Sequence, residues 1–192
     1  MKVTFIQVEG TADELDASEV GKQLIAAMGV GPAPVSRLTV EDDAPANNSW
    51  QSLPIPGLAA EGQAEVKKLL TRNPAAEQFI SFLKRTTSWP NATLHGVKRK
   101  THQEGEPLDY SDYLRLRRQG SQLGGFAYVY ADTGVVNLRL NYDSDAGILH
   151  SFAPDAYIVP KGHRAYRVSV QITDESTLRQ ALELAEMAYK LT

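Results

Sequence analysis

The sequence predicts an α+β protein, an antiparallel β-meander sheet with helices packed on one face, preceded by a small N-terminal βα unit and a Pro-rich linker. Three observations carry that expectation. Between Gly125 and Ile172, apolar and polar residues alternate at the two-residue period of strands that bury one face. Asp132-Thr133-Gly134, between two such runs, is a tight-turn signal. Leu178, Ala181, Leu182, Ala185 and Ala188 then repeat at the helical period, giving a closing helix one apolar stripe.

In chain order, Val3, Phe5, Ile6 and Val8 read as a short strand. Thr11 and Glu14 stand at capping-box spacing before a helix striped by Val20, Leu24, Ala27 and Met28 and ended by Gly29, so residues 1–29 form the βα unit. Residues 30–60 read as a linker or long loop, because Pro32, Pro34, Pro45, Pro54 and Pro56 are five of the ten prolines and Glu41-Asp42-Asp43 adds an acidic run. The main α+β domain spans 61–192. Val66, Leu69 and Leu70 mark one helix. Asn73-Pro74 offers a cap and a first-position proline for the next, over 76–87, with Phe79, Ile80 and Leu83 buried. The Arg72-Asn73-Pro74 junction is too short for a DNA-reading helix-turn-helix, and Ala75, Ala76 and Glu77 read bases poorly.

Strands are expected over 93–100, 113–118, 126–131, 135–141 and 166–172. Tyr110, Tyr113, Leu114 and Arg117 also fit a helical spacing, but alternation of Leu114 and Leu116 with Arg115 and Arg117 favours the strand. Thr173-Asp174-Glu175 starts a helix over 175–190, its acidic residues at the positive end of the helix dipole.

Composition bounds the chemistry. The chain has 192 residues, 42% hydrophobic and 22% charged, as in ordinary folded proteins. With no cysteine, it has no disulfide, thiolate metal site or thiol nucleophile. No run reaches the roughly 20 apolar residues of a membrane span, and the first residues lack a leader-like apolar run, so a cytoplasmic protein without membrane contact is expected. The net charge of −3 hides an asymmetry: residues 1–60 hold three Lys/Arg against eight Asp/Glu, whereas 61–118 hold eleven against seven. The basic middle suits a polyanion.

Motif chemistry is sparse. Asp132-Thr133-Gly134 matches an aspartic-protease triplet in letters, but that reaction needs two carboxylates sharing a proton, and a turn explains the triplet. Asn141, Asp143, Asp145 and Gly147 resemble a calcium loop with the glycine one place late and Phe152 where a glutamate is needed. Gly120 to Gly125 lacks the Lys-Ser/Thr of a phosphate loop. His95, His102, His150 and His163 have no metal-ligand spacing. No catalytic residue, metal or cofactor is expected. Lys161, His163 and Arg164 crowd a glycine before the last strand and form a candidate anion site.

The strongest signal lies on the sheet. If Leu114, Leu116, Leu138, Leu140, Val168 and Val170 point to the helices, alternation puts Arg115, Arg117, Arg139 and Arg167 together on the other face, with the rings of Phe126, Tyr128 and Tyr130 beside them. Rings stack bases and guanidinium groups pair with phosphates, as single-stranded nucleic acid requires. Gly125-Phe126-Ala127-Tyr128-Val129 matches the centre of an RNA-recognition signature, with Gly124 in place of the leading basic residue and Ala131 in place of the closing aromatic. Lys98-Arg99-Lys100 adds a basic cluster.

From about Ala76 to Leu191, the order of elements resembles a group of small uncharacterised bacterial domains, one often found beside nuclease domains. Tyr113-Leu114-Arg115-Leu116, Phe126-Ala127-Tyr128-Val129, Val136-Asn137-Leu138-Arg139-Leu140 and Val168-Ser169-Val170-Gln171-Ile172 carry it, closed by Leu178, Ala181-Leu182 and Ala188-Tyr189. Lys161-Gly162-His163 also looks like the approach to the last strand in the MmcQ/YjbR-like family, whose double-wing fold the resemblance links to DNA binding. Neither family implies a catalytic residue here.

The leading expectation is a non-enzymatic protein that binds single-stranded or duplex nucleic acid, or assists its processing, through Arg115, Arg117, Tyr128, Tyr130, Arg139, Arg167 and the Lys98-Arg99-Lys100 cluster. The alternative is a protein-interaction or regulatory module whose 30–56 segment orders on a partner. An enzyme of unidentified type is third.

Overall fold

Six strands form one antiparallel sheet in the order β1-β2-β3-β4-β6-β5: β1 Ala92–His95, β2 Leu114–Arg118, β3 Gly125–Val129, β4 Val135–Leu138, β5 Tyr157–Ile158 and β6 Val168–Gln171. The structure, a computed structural model, describes residues 49–99, 102–142, 145–159 and 165–192. The N-terminal βα unit, the linker up to residue 48, Lys100, Asp143 and the anion candidates Lys161, His163 and Arg164 lie outside the described residues. The first four strands are neighbours in sequence and in space, which is the expected meander. The four-residue β1 and the two-residue β5 are its edges.

The register fixes which residues share a face. Leu94, Leu116, Ala127, Leu138 and Val168 lie in one row across five strands, and Leu114, Val129, Val136 and Val170 in a second; all are buried. The helices cover this side. α1 is Ser49–Ser52, α2 Gln63–Leu70, α3 Ala76–Thr87, α4 Ala146–Phe152 and α5 Glu175–Lys190. α5 packs on β3, β4 and β6, and α3 lies beside it over β1. Leu178, Ala181, Leu184, Ala185 and Ala188 are the stripe that α5 buries. On α3 the buried stripe is Phe79, Phe82 and Leu83, with Ile80 at its margin. Each such large apolar side chain contributes about 1.5–3 kcal/mol.

The start of α5 is locked as its sequence implies. The Asp174 carboxylate accepts the Thr177 N–H at 2.8 Å, and the Thr177 hydroxyl accepts the Asp174 N–H at 3.0 Å, a reciprocal cap. α3 spans the expected residues, but its cap differs. It begins at Ala76, with Ala75 rather than Asn73 as its capping residue. Asn73 is instead buried, accepting the Ala75 N–H at 2.9 Å and donating to the Ala131 carbonyl at 3.1 Å, so it ties the helices to the turn after β3.

Two further features depart from the pattern in the sequence. Trp50, Ile55 and Leu58, assigned to the linker, belong to the core, and Gln63 holds that segment by bonding to both Ile55 backbone groups and the Leu58 carbonyl. α4 and β5 were not foreseen: Asp145 caps α4 by accepting the Ile148 N–H, and β5 exists only as a ladder partner of β6. Expected strand 93–100 stops at His95. Val97 merely bridges Asp109, and Lys98 and Arg99 lie beyond the ladder.

The Asp132-Thr133-Gly134 turn joins β3 to β4. Gly134 has φ +72°, and a Cβ there would stand 2.8 Å from the Ile172 carbonyl, so both backbone angle and space demand glycine.

Candidate nucleic-acid interface

The face opposite the described helices is a row running His95, Arg115, Tyr128, Asn137, Ser169 and Tyr157 across all six strands. Arg139 continues the β3–β4 ladder, its N–H donating to the Phe126 carbonyl, Arg167 continues the β5–β6 ladder, its carbonyl accepting the Val159 N–H, and Arg117 pairs with Gly125 on β3. Arg115, Arg117, Arg139 and Arg167 therefore share a face, as alternation implies, and Tyr128 and Tyr130 join them. Phe126 does not. A β-bulge between Leu116 and Arg117 sets Arg117 against Gly125, and Phe126 turns into the core, 5.9 Å from Trp89 and 5.5 Å from Tyr189 between ring centroids. One extra residue in a strand is enough to change which face a neighbour meets.

Tyrosines dominate the middle of the face. Tyr128 stacks on Tyr166 at 4.0 Å, Tyr113 lies 4.8 Å from Tyr128 and 5.7 Å from Tyr130. Tyr166 has the sequence parity of Val168, which assigns it to the helix side; β6 begins only at Val168, and Tyr166 packs against Tyr128 instead. Tyr128 is 7% and Tyr166 5% exposed, so this stacked pair supports the face from within rather than receiving a base. Burial, then the hydrogen bond with Tyr166, pushes the Tyr128 phenol up to about 12. It stays protonated, as a donor, at neutral pH. Tyr113 and Tyr130 are half-buried; burial first, then Asp112, raises the Tyr130 phenol as well.

The arginines divide by partner. Arg139 Nε donates to the Gly125 carbonyl at 3.0 Å, its guanidinium 5.0 Å from the Tyr166 ring centroid, and the Tyr166 hydroxyl donates to the same carbonyl at 2.6 Å. Arg167 Nε donates to the Val159 carbonyl at 2.9 Å. Both groups hold the fold. At the β1–β2 end, Arg117 is exposed. Arg115 is half-buried; its Nη2 reaches the Tyr128 hydroxyl only at 3.5 Å, while its Nε is buried with no hydrogen-bond partner among the described residues.

Arg115, Arg117, His95 and Lys98, with Gly96 and Leu108, line a cavity of about 340 Å³. His95 is the residue that sequence reasoning passed over. It carries no metal spacing, and only its register opposite Arg115 reveals it. Burial first, then the charges of Arg117 and Arg115, holds its imidazole below the ordinary value of 6.5. Of the basic cluster, Lys98 joins this cavity, whereas Arg99 is engaged by an ion pair with Asp109 and a 3.0 Å bond to the Ser111 hydroxyl. Burial raises the Asp109 carboxyl, but the Ser111 hydrogen bonds, with Arg99, outweigh it and hold it below the usual carboxylate range.

Among the described residues no cluster of His, Asp or Glu could hold a metal ion, and no helix is long and apolar enough to cross a membrane. No family model, curated protein or solved structure matches the chain.

Proposed function

We propose that this protein binds nucleic acid without transforming it, as an accessory to a nucleic-acid-processing system in the cytoplasm, through the β1–β2 half of the face opposite the described helices. The observation that carries the reading is the cavity where Arg115, Arg117 and Lys98 converge with His95 and no carboxylate lines the wall among the described residues. Three permanent cations in one concavity suit phosphate oxygens, and Tyr113 and Tyr130 lie further along the same face as half-buried rings. Affinity for single-stranded DNA and RNA measured across a salt series tests it: phosphate contacts give a steep fall with salt, and absence of binding at low salt ends the reading.

A second observation favours a protein-interaction module. Trp50, Leu53, Pro54, Ile55, Pro56 and Ile80 line a largely apolar cavity of about 370 Å³, with Leu53 60% exposed; the first five belong to the described end of the 30–56 segment. A partner bound there would show weak salt dependence and lose affinity on Leu53→Asp.

A further inference from the structure

We propose that the cavity between β1 and β2 is a phosphomonoester site, taking a terminal phosphate group in preference to the diester inside a strand; the proposal rests on the nucleic-acid reading of this face. Charge is the first argument. A phosphomonoester carries about −1.5 to −2 at pH 7, roughly twice the charge of a backbone diester, and the wall offers Lys98, Arg115 and Arg117 without an opposing carboxylate among the described residues. Asp109, next in sequence to the lining residue Leu108, is already matched by Arg99.

Shape is the second argument. At about 340 Å³ the cavity falls at the small end of ligand pockets, which run from about 300 to 1,000 Å³, so it has room for a phosphate with one nucleoside attached. Leu108 supplies an apolar wall and His95 a ring. The reciprocal backbone bonds between Val97 and Asp109, at 2.7 and 2.9 Å, fix the loop bearing Leu108 beside β1.

Preorganisation is the third. The Arg115 stem lies over Gly125, where a Cβ would stand 2.8 Å from Arg115 Cγ, so the guanidinium is held in place by its own chain. The guanidinium lies 5.3 Å from the Tyr128 ring centroid, and its Nη2 makes a long contact of 3.5 Å to the Tyr128 hydroxyl. A planar fork fixed in this way matches two oxygens of one phosphate. Burial first, then Arg117 and Arg115, depress the His95 imidazole, and an arriving dianion would offset the two charges.

The shared chemistry could come from a strand end or from a free phosphomonoester, and two measurements separate them. Inorganic phosphate is titrated into the full-length protein while the His95 ring protons are followed by NMR, and binding of one oligonucleotide with 5′-phosphate, 3′-phosphate or hydroxyl ends is measured by anisotropy. The expected result is a saturable His95 response with an upward shift of its titration, and at least about tenfold tighter binding of one phosphorylated oligonucleotide than of the hydroxyl form. Arg115→Lys, which keeps the charge and loses the fork, should remove that preference with the fold checked by thermal unfolding. Equal affinity for all three oligonucleotides with no His95 response overturns the phosphomonoester site and leaves the nucleic-acid reading standing. A His95 response to phosphate without oligonucleotide binding overturns the nucleic-acid reading and supports a site for a free phosphomonoester. No response to any of these probes removes both.

Discussion

Two halves of one sheet face use the same residue type for different ends. Toward β4 and β6, Arg139 and Arg167 spend their Nε donors on backbone carbonyls, Gly125 and Val159, and Arg139 lies against Tyr166. Toward β1 and β2, Arg117 is exposed, and Arg115, with a contact of 3.5 Å to the Tyr128 hydroxyl, lines a cavity with it. Parity places a side chain on a face; the acceptors within reach decide whether it braces the fold or is available to a ligand. Exchange of one arginine in each half should therefore give opposite phenotypes.

The largest expected effect is on binding. Lys98→Glu with Arg117→Glu reverses two exposed charges at the cavity and should abolish oligonucleotide binding, while thermal unfolding moves little because exposed substitutions usually cost within about 0.5 kcal/mol. Retained binding would show that the two halves do not differ in this way. Next is Gly125→Ala, at the junction of the halves. Its Cβ would meet Arg115 Cγ at 2.8 Å and the Leu116 carbonyl at 2.9 Å, so a loss of about 3 kcal/mol is expected in denaturant unfolding, with weakened binding as well.

Arg139→Ala should cost about 2 kcal/mol, since it removes a charge-assisted bond to Gly125 and a ring contact, and should leave oligonucleotide affinity nearly unchanged. A loss of affinity with unchanged stability would invert the assignment of the halves. Tyr166→Phe removes the second donor to the same carbonyl and should cost about 1 kcal/mol.

The smallest effect is a pH dependence. The folded His95 holds its proton less well than the unfolded chain, so its neutral form favours the fold above the ordinary value of 6.5, and that contribution is lost as pH falls below it toward the lower folded value. Unfolding at about pH 7 and about pH 5 should show a smaller drop for His95→Gln than for the natural protein.

How legible these features were depends on whether their cause is local. The spans of α3 and α5 follow from apolar stripes, and the Asp174 cap can be read from adjacent residues. The strand faces follow from alternation, which is why the four arginines could be grouped. What failed is set by partners distant in sequence. The bulge that sends Phe126 inward depends on how β2 meets β3, and Tyr166 leaves its parity because the β6 ladder starts two residues later. Trp50 and Ile55 sit among prolines, which locally signal a loop, yet they pack on the core formed by later elements. His95 becomes notable only when β1 sets it opposite Arg115. The partners chosen by each arginine are invisible to periodicity, since backbone carbonyls have no sequence signature.

The brevity of β1 and β5 bears on how copies of this chain avoid one another. Segments such as Gly125–Val129 and Val168–Gln171 have the β-branched and aromatic, uncharged character that seeds fibrils when a neighbouring molecule can add a strand. Both are interior to the sheet, β3 between β2 and β4 and β6 between β4 and β5, although β5 pairs only with Val168 and Ser169. Among the described residues an incoming strand meets four residues at β1 or two at β5, a short template for an intermolecular ladder. Among the described residues the fold thus keeps these aggregation-prone segments behind short edges.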